Sequence, residues 1–125
     1  MSTLKVNTLE EATAGGATFY TAKAWVNFNG RSTVAIRADG NVSSITDNGS
    51  GDYTANFSNA LVDANYAFLG SLGNSKNAFV RALTVFATSD EGETPYTQSS
   101  TAVRFVSAWN GTSFDVGLCY IEIAR

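Results

Sequence analysis

The chain has 125 residues, of which eight are basic and eleven acidic, with 15% charged residues and a sequence pI near 4.7. This length suits one domain with its own core, and the acidic balance argues against a general nucleic-acid-binding surface. Histidine is absent and Cys119 is the one cysteine, which excludes Ser-His-Asp triads, Cys-His pairs, imidazole metal sites, an internal disulfide and a zinc knuckle.

Small neutral residues replace the missing charge, with 14 Thr, 13 Ser, 11 Asn and 11 Gly. The N-terminus carries no apolar run of secretory length, and no stretch approaches the ~20 apolar residues that span a membrane. We therefore expect a soluble protein that is made in a cytoplasm, with no membrane insertion, no nucleic-acid partner and no cofactor.

The first 21 residues differ from the rest of the chain in their apolar pattern, which follows neither a helical nor a strand period. Leu4, Val6 and Leu9 are their few apolar anchors, and Gly15-Gly16 interrupts both the helical and the strand period. One interpretation is a loosely ordered leader; the other is an arm that gains order against another chain. We predict an attachment or oligomerisation arm over residues 1–21 and a β domain over residues 22–125.

Alternation of apolar and polar residues begins directly after this arm. Ala24, Val26 and Phe28 alternate with Trp25 and two asparagines, which is typical of a half-buried strand. Residues 45–57 predict a hairpin, because two alternating runs flank a loop rich in Asn, Asp and Gly.

The later segments continue the β pattern. Strands are predicted near residues 66–69, 78–87 and 102–109 and over the final stretch 113–124, with Cys119 as a small buried hydrophobe. Residues 88–99 form the longest predicted loop. Seven or eight short strands at about ten-residue spacing, with almost no helix, indicate an antiparallel sandwich or a small barrel.

Because histidine is absent, carboxylates are the remaining side chains for catalysis. Asp47 and Asp52 flank a Gly-Ser-Gly turn, and two facing carboxylates would suit glycoside hydrolysis. Carboxylates in turns more commonly bond local backbone amides. The oxygen-rich stretch 47–52 also invites comparison with a calcium loop, but it lacks the spacing and the terminal Glu of an EF-hand.

Three aromatic residues stand outside the predicted core. Trp25 shares its strand face with asparagines, Trp109 ends a strand, and Tyr96 lies in the long loop. A ring beside Asn and Asp suits carbohydrate binding, and rings also fill subunit interfaces. We interpret Trp25 as a subunit-interface residue and Tyr96 as a ligand contact.

Two segments are distinctive: the first is WVNFNG at 25–30, continuing with VAIR at 34–37, and the second is NVSSITDNGSGDYT at 41–54. Both resemble a β domain common in bacteriophage tail-fibre-like and other virion structural proteins. The leader LKVNTL at 4–9 is similar to segments that open many phage fibre proteins. The ending IEIAR at 121–125 is similar to the apolar closing strand of the family.

This resemblance implies a non-enzymatic virion protein, assembled in the cytoplasm of a bacterial host. It implies a jelly-roll β-sandwich that acts as a homotrimer, as a tail-fibre-like or host-contact subunit bound to other virion proteins of the tail or the major capsid. Leu4, Val6 and Leu9 would attach the arm. A host-surface glycan would meet the loop residues Asp90, Glu91, Glu93, Tyr96, Trp109 and Asn110. The alternatives are a capsid cement or decoration protein and a free carbohydrate-binding module.

Overall fold

The computed structural model describes residues 2–6, 21–73, 82–85, 98–109 and 112–125. These residues are all-β, with eight strands and a ninth of two residues, in agreement with the predicted seven or eight. The strands are β1 (Ala22–Asn29), β2 (Ala35–Gly40), β3 (Val42–Gly49), β4 (Asp52–Phe57), β5 (Ala67–Leu72), β6 (Ala82–Val85), β7 (Ala102–Trp109), β8 (Thr112–Ser113) and β9 (Cys119–Ala124). Within the described ranges, no helix has the length and apolar character needed to cross a membrane.

The strands form two antiparallel sheets that pack face to face. The first sheet has the order β2-β1-β9-β5, and the second has the order β3-β4-β7-β6 with the short β8 paired to β7. The first and last strands, β1 and β9, are neighbours in the first sheet, while β4 and β7 are neighbours in the second. Two packed antiparallel sheets confirm the predicted all-β antiparallel sandwich, whereas its jelly-roll type stays a prediction.

Alternating side chains of both sheets fill the space between them. Val26 and Phe28 of β1, Tyr53 of β4 and Phe105 of β7 are fully buried. The Phe28 ring centre lies 5.2 Å from that of Tyr53 and 6.1 Å from that of Phe105, both near edge-to-face. Such ring pairs add to the free energy of burial, so this aromatic cluster holds the two sheets together.

A polar cluster closes one end of the core. Asp115 Oδ1 accepts a hydrogen bond from the Gly51 backbone N–H at 2.7 Å. The Tyr53 hydroxyl lies 3.0 Å from the same oxygen and 2.9 Å from the Gly30 carbonyl oxygen. Burial, followed by the Asp115 carboxylate, raises the pKa of Tyr53, so the phenol stays protonated. The cluster ties three segments that are distant in sequence to one another.

The final predicted strand differs from the expectation. Instead of running from 113 to 124, the chain makes the short β8, leaves the sheet after Ser113 and resumes at Cys119. Val116 is buried, whereas Leu118 is 46% exposed. Asp115 and Val116 bond other segments, since the Gly30 N–H donates to the Val116 carbonyl at 2.8 Å. These hydrogen bonds take the place of the backbone pairing with a neighbouring strand that a continuous strand would need.

Candidate functional site

Trp25 lies on the outer face of the first sheet, which we call the Trp25 face. Two cross-strand rows of outward residues form this face. In the order β2, β1, β9 and β5, the first row is Gly40, Trp25, Glu122 and Leu69, and the second is Ala38, Asn27, Tyr120 and Ser71. Ala124 of β9 and Ala67 of β5 extend the face by one further pair.

Six of the eight residues in these two rows are small, aromatic or aliphatic, and the exceptions are Asn27 and Glu122. Leu69 is 51% exposed, and Trp25 is half-buried because its indole ring lies over Gly40. A Cβ at Gly40 would come within 2.7 Å of the Trp25 Cδ1, so only glycine leaves room for the ring there. The ring therefore lies flat along the sheet beside small neighbours.

Polar groups on the Trp25 face bond to one another. The Tyr120 hydroxyl donates to Glu122 Oε2 at 2.8 Å, and this hydrogen bond raises the pKa of Tyr120. A bulge between β1 and β2 directs Arg37 toward Asn27 Oδ1 at 3.4 Å and toward the Gly117 carbonyl at 2.6 Å. Because these groups already have partners, covering the face would leave few of them unsatisfied.

The outer face of the second sheet has a different character. Asn56 Nδ2 donates to Thr46 Oγ1 at 3.0 Å and to Ser44 Oγ at 3.1 Å, and Asn48 Nδ2 donates to Thr54 Oγ1 at 2.9 Å. These polar side chains alternate with the core residues of β4, as expected for a sheet face in water. The Trp25 face differs from it because it presents Trp25, Tyr120 and Leu69 beside its own polar pairs.

The two carboxylates weighed for catalysis have structural partners. Asp47 Oδ1 accepts from the Gly49 N–H at 3.1 Å, which is a local turn contact. Asp52 forms a bidentate ion pair with Arg104: Nε donates to Oδ1 at 2.9 Å and Nη2 donates to Oδ2 at 2.6 Å. The hydrogen-bonded guanidinium lowers the pKa of Asp52. Asp52 therefore stays ionised near neutral pH and is unsuited to donate a proton.

The described residues contain no group of three or more His, Cys, Asp or Glu side chains that could hold a metal ion. The stretch 47–52 covers the end of β3, the two connecting residues and the start of β4, and its carboxylates bond Gly49 and Arg104. Nothing in this geometry supports the calcium interpretation of that stretch.

The structure locates four of the predicted site residues. Trp25 is half-buried on the first sheet, Trp109 at the end of β7 is 41% exposed, and Leu4 and Val6 of the arm are 87% and 56% exposed. It does not bring Trp109 onto the Trp25 face, because β7 belongs to the other sheet. The other predicted site residues lie outside the described part of the chain: Leu9, Asp90, Glu91, Glu93, Tyr96 and Asn110.

Leu69, Tyr120 and Glu122 belong to the Trp25 face but were not singled out from the sequence. Each alternates with a core residue on its own strand, so the outward direction of Tyr120 and Glu122 follows from the burial of Cys119, Ile121 and Ile123. That they lie beside Trp25 depends on the pairing of β1 with β9 and of β9 with β5. No local signal specifies this pairing.

Comparison of the chain with protein-family models, with curated proteins and with solved structures found no match.

Proposed function

We propose that this protein is a non-enzymatic bacteriophage virion structural protein, a tail-fibre-like or host-contact subunit that acts as a homotrimer through the Trp25 face. The observation that carries the proposal is the contrast between the two outer faces of the sandwich. The phage family and the three-fold state come from the resemblance of residues 25–37 and 41–54, and the choice of contact surface comes from the geometry.

The composition of the Trp25 face suits a subunit interface. Interface cores are enriched in aromatic residues and depleted of charge, and this face presents Trp25, Tyr120 and Leu69 around small residues. Glu122 is the one carboxylate in the two rows of this face, and it accepts a hydrogen bond from the Tyr120 hydroxyl. A second copy of the chain would bury apolar area there, while the Glu122 carboxylate keeps its hydrogen bond from Tyr120.

The arm is the proposed attachment to the particle. Leu4 and Val6 are 87% and 56% exposed, and burial of such apolar side chains against a partner is favourable. The partner would be a tail protein or the major capsid protein, to which Leu9 could also bind. Assembly would take place in the host cytoplasm, and the finished protein would lie on the virion.

Host contact is proposed for the loop residues that the sequence analysis singles out. Trp109 is the described member of this set, and its 41% exposure at the end of β7 leaves part of an indole ring open to a sugar face. Asp90, Glu91, Glu93, Tyr96 and Asn110 complete the proposal. A host-surface glycan is the ligand class, since it is read by ring stacking and hydrogen bonds.

A capsid cement or decoration protein is the second candidate, favoured by the same exposed arm, because each copy of a small domain could bind the head through Leu4 and Val6. A free carbohydrate-binding module is the third, for which Tyr96 is the predicted ligand contact and Trp109 is the described aromatic residue. The copy number separates the two virion roles, because a decoration protein is present in hundreds of copies and a fibre in tens or fewer.

The test of the proposal is incorporation into particles. We expect the full chain to be found on purified virions, a chain lacking residues 1–21 to fold but to be lost from them, and a Leu4→Ser/Val6→Ser chain to be reduced on them. A Thr46→Ser chain, altered on the polar outer face, is the control and should incorporate normally. Absence of the full-length protein from virions would contradict the proposed function.

A further inference from the structure

The chain contains three Asn-Gly pairs, and two of them, Asn29-Gly30 and Asn48-Gly49, lie in the part of the chain that the structure describes. Asparagine before glycine is prone to spontaneous deamidation, because glycine has no side chain to shield its backbone nitrogen. The reaction requires that nitrogen to reach the side-chain carbonyl carbon of the asparagine. The two pairs have the same chemistry and differ in their surroundings, so a comparison of them isolates the contribution of the fold.

The pair Asn48-Gly49 lies at an exposed irregularity of the β3–β4 hairpin. The register shifts between Asp47 and Gly49, so that Asn48 has no partner residue in β4. Asn48 and Gly49 are both exposed, and a Cβ added at Gly49 would meet nothing within 4 Å. The Gly49 N–H donates to the exposed Asp47 side chain at 3.1 Å, and this bond within the turn can open without disturbing the sheet.

The pair Asn29-Gly30 is held by several contacts. Gly30 is buried, its N–H donates to the Val116 carbonyl at 2.8 Å, and a Cβ added there would lie 2.7 Å from the Tyr53 Cζ. The Asn29 side chain bonds Arg31 twice, since Nδ2 donates to its carbonyl at 3.0 Å and Oδ1 accepts from its N–H at 3.2 Å. Attack by the Gly30 nitrogen would have to break these bonds inside a packed part of the molecule.

We propose that Asn48 is a site of spontaneous deamidation in the folded protein, whereas the fold protects Asn29. The Gly49 nitrogen forms a bond to the Asn48 side-chain carbonyl carbon and loses its proton to a solvent base. The side-chain nitrogen takes a proton from solvent and leaves as ammonia. The resulting five-membered succinimide then takes up one water molecule, and cleavage of either ring C–N bond gives aspartate or isoaspartate. Nothing is oxidised or reduced, and water is the one co-reactant.

The product of this reaction would loosen the hairpin turn. Asn48 Nδ2 donates to Thr54 Oγ1 at 2.9 Å and lies 3.4 Å from Asp52 Oδ1. A carboxylate in its place has no N–H to donate, and it sets a second negative charge beside Asp52. Isoaspartate also adds an atom to the main chain shortly before Gly51, whose N–H is bonded to Asp115.

The extent of the change would record the time since synthesis, because the reaction needs no enzyme. It is independent of the proposed interface and host-contact loops, since residues 47–49 belong to neither. This inference therefore holds whether or not the protein is part of a virion.

Timed incubation of the unaltered chain at mildly alkaline pH, followed by tandem mass spectrometry, tests the proposal. In the native protein we expect Asn48 to be deamidated at least about tenfold faster than Asn29. In the guanidinium-unfolded chain, where both surroundings are lost, the two rates should approach one another. Equal rates at the two pairs in the native protein would refute the proposal. A ratio that persisted unchanged after unfolding would also refute it, because the neighbouring residues and not the fold would then set the rates.

Two substitutions test the consequence for the turn. Asn48→Asp reproduces one product, and Asn48→Ala removes the same hydrogen-bond donor without adding a charge. We expect Asn48→Asp to lower the midpoint of urea unfolding more than Asn48→Ala, and added salt to reduce the difference, since it screens the repulsion from Asp52. Circular dichroism verifies that both chains fold. Equal midpoints would contradict the proposed loosening by charge.

Discussion

At the scale of single residues, the ion pair of Asp52 and Arg104 shows how the outer face of the second sheet is stabilised. The two hydrogen bonds have near-ideal distances, and the Asp52 side chain is only 17% exposed, whereas that of Arg104 is 38% exposed. A bidentate ion pair is stronger than a neutral hydrogen bond, but water around the partly exposed arginine screens the charges and weakens the interaction.

We predict that Arg104→Gln lowers the free energy of unfolding by about 1 kcal/mol at pH 7. Because the pKa of Asp52 is lowered in the folded state, this contribution is present above its ordinary pKa of 3.8 and is lost as the pH falls through the folded value. Urea unfolding of both chains between pH 7 and pH 2 measures the difference. An undiminished difference at pH 2 would show that the arginine acts through packing instead.

Cys119 is the second residue with a defined chemical state. It is fully buried in β9, and burial raises the pKa of its thiol to about 12. The thiolate is the reactive form, so we predict that a thiol reagent labels the native protein at least about a hundredfold more slowly than the guanidinium-unfolded protein. Rapid labelling of a chain that keeps its circular-dichroism spectrum would contradict this burial.

At the scale of secondary-structure elements, the turn of the β3–β4 hairpin packs against the polar cluster around Asp115 at one end of the core. Gly49 and Gly51 both have positive φ, at 141° and 68°. Gly51 is buried, its N–H donates to Asp115, and its carbonyl accepts the Ser107 N–H at 2.7 Å. Nothing lies within 4 Å of a Cβ added at Gly49, whereas one at Gly51 would lie 2.8 Å from the Ser107 carbonyl oxygen.

These two glycines form a matched pair for mutation. We predict that Gly49→Ala lowers the free energy of unfolding by about 1 kcal/mol through backbone strain alone. Gly51→Ala should cost about 3 kcal/mol or more, because strain is joined by overlap with main-chain atoms that cannot move aside. Urea unfolding measures both values, and equal losses would show that the contacts of Gly51 with the β7–β9 connection are unimportant.

The sequence predicts those strands whose two faces differ sharply, as in β1, where Ala24, Val26 and Phe28 are buried and their neighbours are not. It fails for the final predicted strand, where apolar residues continue from Phe114 to Ile123. The chain leaves the sheet there because Asp115 bonds Gly51 and Tyr53, more than sixty positions away in sequence. Contacts between residues so far apart produce no pattern of apolar and polar residues that can be recognised in a single sequence.

The same limit applies to the candidate site. Trp25 is recognisable from its alternation with core residues, but Leu69 and Glu122 join its row only through the strand order β1-β9-β5. A pocket of the described residues likewise combines Lys23, Leu61 and Arg125, which are far apart in the sequence. Sequence reasoning therefore identifies individual side chains, and the topology determines which of them act together.

At the scale of the whole molecule, the outer faces of the two sheets differ in chemical character. The second sheet carries a hydrogen-bonded polar layer that suits water, and the first sheet carries the Trp25 face that suits another subunit. Leu69 is the best residue for separating association from folding, because it is half exposed and lies opposite Glu122. A lysine there could pair with that carboxylate in a free monomer.

We predict that Leu69→Lys leaves the circular-dichroism spectrum and the melting temperature of the domain nearly unchanged but weakens self-association at least about tenfold, since a charge would have to be buried at the contact. Thr46→Lys places the same charge on the outer face of the second sheet and should associate normally. If both variants, or neither, lost association, the Trp25 face would not be the contact surface.

Light scattering coupled to size-exclusion chromatography on the unaltered chain at micromolar concentration tests the central claim, a three-fold assembly, most directly. The account predicts a mass three times that of the 13.2 kDa chain, and a shift toward the monomer mass for Leu69→Lys. A stable species of 13.2 kDa at micromolar concentration for the unaltered chain would contradict it.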